Sequence, residues 1–302
     1  MQLQFVTLDV FTDRKFVGNP LAVIHLPSSA ANLPQDTKQA IAREFNLSEI
    51  VFLHEQTEDD IKSSEARIDI FTALAEVPFA GHPTIGTGVY VLECLQKTDI
   101  LALRTKAGRK TISKTDRGVS VALAHEIHVH DKPFAGLAFD HHPVVSIVKG
   151  MNFILVKLPD LVDLATQDDN LVGMRNCYTS YPALDEGWRE GLLTTFYYVD
   201  LGVDADSGRR KLRTRAFGAR EDPGTGSASA ALSAYLSLTE NGPTMRKFHL
   251  TQGVEMGRQC DIFVDVIMSA DGGIESVSLS GVAVMVMKGN IDVEYEPEAA
   301  VE

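Results

Sequence analysis

Apolar and polar residues alternate with a period of two over many short stretches of this chain, and only a few stretches carry the three-to-four-residue spacing of a helix. LQFVTLDVF (3–11), NPLAVIHL (19–26), LSEIVFLH (47–54) and ARIDIFTA (66–73) predict strands. PQDTKQAIAREF (34–45) predicts a helix with Pro34 near its first turn, where a missing N–H costs nothing. After the polar loop EQTEDDIKSSE (55–65), the stretch EVPFAGHPTIGTG (76–88) reads as a turn leading into a helix through VYVLECLQ (89–96). From Ile100 to Ala124 the alternation resumes around the turn signals KAGRK and TDRG.

The second half repeats the outline. VVSIVKG (144–150), FILVKL (153–158), LLTTFYYVDLG (192–202) and LRTRAFGA (212–219) predict strands, SASAALSAYLSL (227–238) a helix, and Phe248–Val293 a strand-rich end broken by ADGG and KGN. PFAGHPTIGTG (78–88) and REDPGTGSAS (220–229) each set an X-Pro pair and a Gly/Thr run directly before the helix of their half. His82 and Asp222 therefore lie about half the chain apart, and the pattern predicts two similar domains whose helix starts face a shared cleft. Such a cleft suits a small ligand, because two helix ends polarise it from both sides.

Composition narrows the ligand. The 302 residues are 44% hydrophobic and 23% charged, an ordinary globular balance. A formal net charge of -13 argues against nucleic acid and anionic membranes, which need basic surfaces. No apolar run approaches the roughly 20 residues that span a bilayer, and the start MQLQFVTLDVF carries no leader signature, which predicts a cytosolic protein. Cys94, Cys177 and Cys260 are odd in number and far apart, which predicts reduced, buried thiols.

Candidate chemistry concentrates in the glycine-rich runs. A helix start attracts anions, yet Glu221 and Asp222 stand beside this one, so a small carboxylate suits it better than a phosphate. The run lacks the third glycine of a dinucleotide fingerprint and the lysine of a phosphate loop. On the residues alone, Asp222 reads equally as a helix cap and the glycines as turn formers. His125, His128, His130, His141 and His142 crowd one stretch without fixed ligand spacing, which reads as a polar connection between the halves rather than a metal site. D-A-D-S-G at 204–208 resembles the start of a calcium loop, but Arg215 stands where the bidentate glutamate belongs.

Six blocks together resemble the PhzF-like family, relatives of the phenazine-biosynthesis isomerase that share the diaminopimelate epimerase fold. They are DVFTDRKFVGNPLAV (9–23), LSEIVF (47–52), PFAGHPTIGTG (78–88), REDPGTGSAS (220–229), TQGVEMGR (251–258) and SLSGVAVMVMKG (278–289), in family order over nearly the whole chain. The resemblance implies an α/β fold of two pseudo-symmetric domains, each a mixed sheet around a central helix. The first is expected at 1–126, joined by a C-terminal strand near 280–295, and the second at 127–279. It further implies a homodimer, no cofactor and no metal.

By the same resemblance Glu49 is the proton carrier, with His82 and Asp222 touching the substrate and tuning proton transfer. Asn19, Ser48, Gly81, Thr225, Gly226 and Ser227 are the implied substrate contacts. Physical chemistry is compatible with that role, since a carboxyl in a dry cleft has its charged form disfavoured and can both take and return a proton. Without the resemblance, Glu49 reads as a solvated acid beside a capping Ser48, and His82 as a histidine bonded to a loop carbonyl. Racemases of the wider fold use two opposed cysteines, and neither glycine-rich run has one. Gly224, Ala73 and Gln259 stand where the family usually shows alanine, proline and proline. The expectation is a cofactor-independent isomerase acting on a small carboxylate-bearing metabolite. The alternative is a non-catalytic metabolite-binding or protein-interaction member of the same fold.

Overall fold

β-Branched and aromatic runs form strands wherever the alternation predicts them, and glycines or polar pairs end them. The computed structural model describes residues 1–123, 126–134 and 142–294, and the chain divides into two compact units, Met1–Val121 with the segment from Val282 on, and Ala122–Gly281. The first unit holds β1 (Gln2–Val10), β2 (Asn19–Leu26), α1 (Gln35–Phe45), β3 (Ile50–His54), α2 (Glu58–Lys62), β4 (Glu65–Phe71), β5 (Glu76–Val77), α3 (Gly81–Val89), β6 (Ala102–Thr105), β7 (Gly108–Thr115) and β8 (Gly118–Leu123). The second holds β9 (His128–Val129), β10 (Val144–Val148), β11 (Met151–Lys157), α4 (Leu161–Thr166), β12 (Leu192–Val203), β13 (Arg210–Phe217), β14 (Glu221–Asp222), α5 (Gly226–Thr239), β15 (Met245–Gln252), β16 (Cys260–Met268) and β17 (Ile274–Gly281). β18 (Ala283–Asp292) returns to pair antiparallel with β1.

Strand pairing reveals an internal repeat. In the first unit β1–β2 is antiparallel, β2–β3 parallel, β3–β4 antiparallel, β4–β6 parallel and β6–β7 antiparallel. The second unit runs through the same sequence of senses from β10 to β16. Even the two-residue strands match: Glu76 lies opposite Phe71 and Val77 opposite Ile70, as Glu221 lies opposite Phe217 and Asp222 opposite Ala216. The counterpart of Asp222 is therefore Val77, and of His82, two residues into α3, Ser227.

Three local expectations change. The run 81–88 is not a turn before a helix; it is α3 itself, continued by a π-helical turn at Tyr90–Cys94. Pro83 sits in the first turn, where its missing N–H has no intrahelical partner to lose. Gly86 and Gly88 serve packing, because a Cβ on Gly86 would lie 2.5 Å from a Leu21 methyl and 2.7 Å from a Val10 methyl, and one on Gly88 2.9 Å from Val119. The loop 55–65 contains α2, closed by a capping box in which Asp60 N–H donates to Thr57 Oγ1 and Thr57 N–H donates to Asp60 Oδ2. Cys94 is exposed, whereas Cys177 and Cys260 are buried.

Each unit has its own core. Leu3, Ile24, Ile50, Phe52 and Phe71 meet Ile41 and Phe45 of α1 in the first, and Phe134, Ile154, Leu164, Tyr197 and Phe217 meet in the second. A polar pin holds α1 to its sheet: Lys38 and His54 Nε2 both donate to Asp69 Oδ2, at 2.7 and 2.8 Å, while Arg67 donates to His54 Nδ1 at 3.0 Å. Burial opposes ionisation of Asp69, but hydrogen bonds from His54 and Lys38 prevail and hold its carboxyl at about 2, against an ordinary 3.8. A depressed folded value stabilises the fold above the unfolded value and is lost as pH falls through the folded one. Stability is thus expected to decline from about pH 4 toward pH 2, and Asp69→Asn to flatten that decline and cost about 2 kcal/mol at pH 7. Urea unfolding of both proteins between pH 3 and 7 checks this.

Candidate active site

The first unit gathers Glu49, His82, Asn19, Ser48 and Gly81 at one edge. β2 and β3 run parallel with Ala22 opposite Ile50, so Asn19 opens β2 on the same side as Ser48 and Glu49, just ahead of β3. Gly18 shapes the turn into Asn19 with a φ of +76°, and a Cβ there would lie 2.6 Å from Val10 O. α3 begins with Gly81 and His82, and no side chain caps it. His82 is 3% exposed, with Nδ1 3.1 Å from Glu49 Oε2. That contact is close but not aligned as a hydrogen bond. Glu49 Oε2 and His82 Nε2 are both buried atoms with no hydrogen-bond partner among the described residues. Leaving such an atom unpaired costs about 1–3 kcal/mol, so the pair is built to receive something.

The second unit gathers Asp222, Thr225, Gly226 and Ser227. Thr225 O–H donates to Asp222 Oδ2 at 2.6 Å, and as the residue before α5 Thr225 makes no side-chain cap to its first turn (Gly226, Ser227). Glu221 is not a free charge either: Arg215 grips it with two hydrogen bonds, at 2.7 and 2.9 Å, and ties it to α4 through Leu164 O and Ala165 O.

Gln252 is the residue that the sequence reading passed over. Fully buried at the end of β15, it accepts from Thr225 N–H at 3.0 Å and donates to Asp222 O at 2.7 Å and Thr225 Oγ1 at 3.0 Å. Gly253 follows with a φ of +74°, 2.6 Å from Pro223 O at its Cβ position, which locks the 251–258 turn under the 222–225 turn. The only signal was its place inside TQGVEMGR, where a glutamine between strand and glycine looks like an ordinary strand end.

The histidine-rich stretch resolves into a hydrogen-bonded latch; His125 and His141 lie outside the described residues. His128 Nε2 meets Asp185 Oδ2 at 2.7 Å and stacks on Trp188, with ring centres 4.6 Å apart. His130 Nδ1 accepts Asp185 N–H at 3.1 Å, and its Nε2 meets Ser146 Oγ at 2.9 Å. Burial lowers the His130 and His142 imidazoles below their usual range. These bonds bring one ligand atom from each of His128, His130 and Asp185 to within 4.8 Å of one another. Asp204, in the run first compared with a calcium loop, is bonded to Lys211 and Ser207.

Known proteins agree with this architecture. The family described as phenazine biosynthesis-like protein matches residues 8–289. A trans-2,3-dihydro-3-hydroxyanthranilate isomerase of Pseudomonas chlororaphis is 27% identical over 300 residues, covering 95% of this chain and 98% of its own. A PhzF-family phenazine biosynthesis protein of Bacillus anthracis superposes with a TM-score of 0.73 at 18% identity, over 97% of this chain and all of that one. A probable proline racemase of Agrobacterium radiobacter superposes at 0.60 and 15% identity, over 98% of this chain and 94% of that one. The chain is thus an isomerase on a diaminopimelate epimerase-like α/β scaffold. It belongs to the phenazine biosynthesis-like (PhzF) family. Among the described residues no helix is long and apolar enough to cross a membrane.

Because Gln252 serves three groups from a fully buried position, Gln252→Leu is expected to destabilise the fold by about 1–3 kcal/mol. It should also loosen the 222–225 turn, which faster amide exchange at Thr225 than at Val264 of β16 reports.

Proposed function

We propose that this isomerase moves a proton between carbons of a small carboxylate-bearing metabolite without a cofactor, using Glu49 as the carrier. The observation that supports the reading is the pair of buried, unpartnered atoms, Glu49 Oε2 and His82 Nε2, on two side chains 3.1 Å apart. A carboxylate with an open oxygen can remove a proton from a carbon next to an unsaturated or carboxyl group and return it elsewhere, an assistance of roughly 10²–10⁴-fold. His82, with Nδ1 toward Glu49, directs Nε2 at the substrate and keeps the carboxylate oriented while its charge changes. Asp222, with its orientation set by Thr225, is the second polar contact, and the substrate carboxylate takes the uncapped N–H groups of Gly81, Gly226 and Ser227 with Thr225, Asn19 and Ser48 around them. In this reading the working form is a homodimer, which analytical sedimentation tests.

Glu49→Gln keeps the shape and one oxygen but cannot cycle a proton. In D₂O, with trans-2,3-dihydro-3-hydroxyanthranilate and then a pool of small carboxylates as substrates, the variant is expected to lose enzyme-dependent deuterium incorporation at carbon by at least about a hundredfold. Binding should change little. Exchange at the parental rate in this variant overturns the mechanism. Asp222→Ala is expected to weaken both binding and turnover, read as a rise in KM together with a fall in kcat, because it removes a contact and frees Thr225.

A further inference from the structure

A cavity of about 400 Å³ lies entirely within the first unit, away from Glu49 and His82. Its wall takes Gln4 near the start of β1, His25 near the end of β2 and Leu53 near the end of β3, whereas Glu49 and Asn19 stand at the opposite strand ends. Val91 and Leu95 bring in the far end of the central helix, roughly 14–20 Å along the axis from His82 at 1.5 Å per residue. There the helix widens into the π-helical turn Tyr90–Cys94, a distortion that recurs at functional sites, and the Tyr90 hydroxyl meets His25 Nε2 at 2.8 Å.

The lining mixes polar and apolar side chains in similar measure, so a ligand that carries both kinds of group suits it. Leu26, Leu53, Val91, Leu95 and Ile100 form the floor. Two opposite charges stand on the wall, Lys97 and Glu55. Lys97 donates to Gln56 Oε1 at 3.1 Å, and Glu55 Oε2 accepts both Ser28 N–H and Ser28 O–H at 2.7 Å. Those bonds to Ser28 hold the Glu55 carboxyl below its usual range, with a further contribution from the charge of Lys97. The two groups feel each other across the wall yet close no ion pair, so each keeps capacity for a ligand of opposite sign. Burial, with the charge of Lys97 added, lowers the His25 imidazole below its usual range.

We propose that this cavity binds a free apolar α-amino acid, its carboxylate on Lys97, its ammonium on Glu55 and its side chain on the leucine and valine floor. A simple anion of the same size meets Glu55, and a simple amine meets Lys97, so each loses one attraction and gains one repulsion. Only a zwitterion satisfies both.

Calorimetric titration of the full chain with L-leucine and L-phenylalanine tests the assignment. Saturable binding is expected, unchanged by Asp222→Ala and weakened at least tenfold by either Lys97→Glu or Glu55→Lys, both at the surface and outside the core. 3-Phenylpropionate and phenethylamine, which each lack one charge, are expected to bind at least tenfold more weakly than phenylalanine. The assignment is overturned if neither amino acid binds, if 3-phenylpropionate or phenethylamine binds as well as phenylalanine, or if binding responds to Asp222→Ala or not to the Lys97 and Glu55 variants.

Discussion

Two helices buried on nearly every side impose the constraint from which the rest of this structure follows. All nine residues of α3 and eleven of the fourteen of α5 are buried, so neither has a face to give to water. A helix enclosed by its own sheet must be slim, which is why alanine, glycine, serine and threonine fill both. Some of their hydroxyls turn back onto the helix: Thr84 donates to Ala80 O, Ser229 to Thr225 O and Ser237 to Ser233 O. The first-turn N–H groups have no such recourse. With no side-chain cap from the N-cap residue at either start, the enclosure that stabilises the helix also leaves donors in want of an acceptor, which on the proposed function is the substrate carboxylate.

The repeated scaffold carries unlike chemistry. Val77 occupies the place of Asp222 and Ser227 that of His82, and because Thr195 lies opposite Phe217 as Ile50 lies opposite Phe71, Thr194 occupies that of Glu49. One unit thus brings an acid beside an imidazole, and the other an acid beside a threonine and a glutamine. On the proposed function this asymmetry gives one proton carrier rather than two matched ones, and the absence of cysteine from both helix starts is consistent with it.

Charges elsewhere are treated in the opposite way. Asp69 is gripped by Lys38 and His54, Glu65 by Arg104 and Arg109, Asp265 by Arg209 and Glu221 by Arg215. Where the fold needs strength, a partly buried carboxylate receives a cation, because an unpaired one would carry the desolvation cost alone. Glu49 receives only a misaligned imidazole. The contrast between these partnered acids and Glu49 is what separates architecture from the candidate site.

Much of this was legible in the sequence. Period-two alternation is local, so the strands from β1 to β4 and from β10 to β13 could be read directly, as could α1, and the six blocks carried the family and its candidate residues. The start of α3 was not legible, because glycine and proline argue against helix until Leu21 and Val10 are seen pressing on Gly86. α2 and α4 are too short to show a period. Gln252 gave no sign of its three bonds, nor Asp222 of the bond that Thr225 makes to it. The chain by itself determined its strands, its slim helices and the residue types that do chemistry, since these follow from spacing and composition. Only the tertiary structure decided which polar atoms are left open and which are satisfied, because that depends on partners brought together from distant parts of the chain.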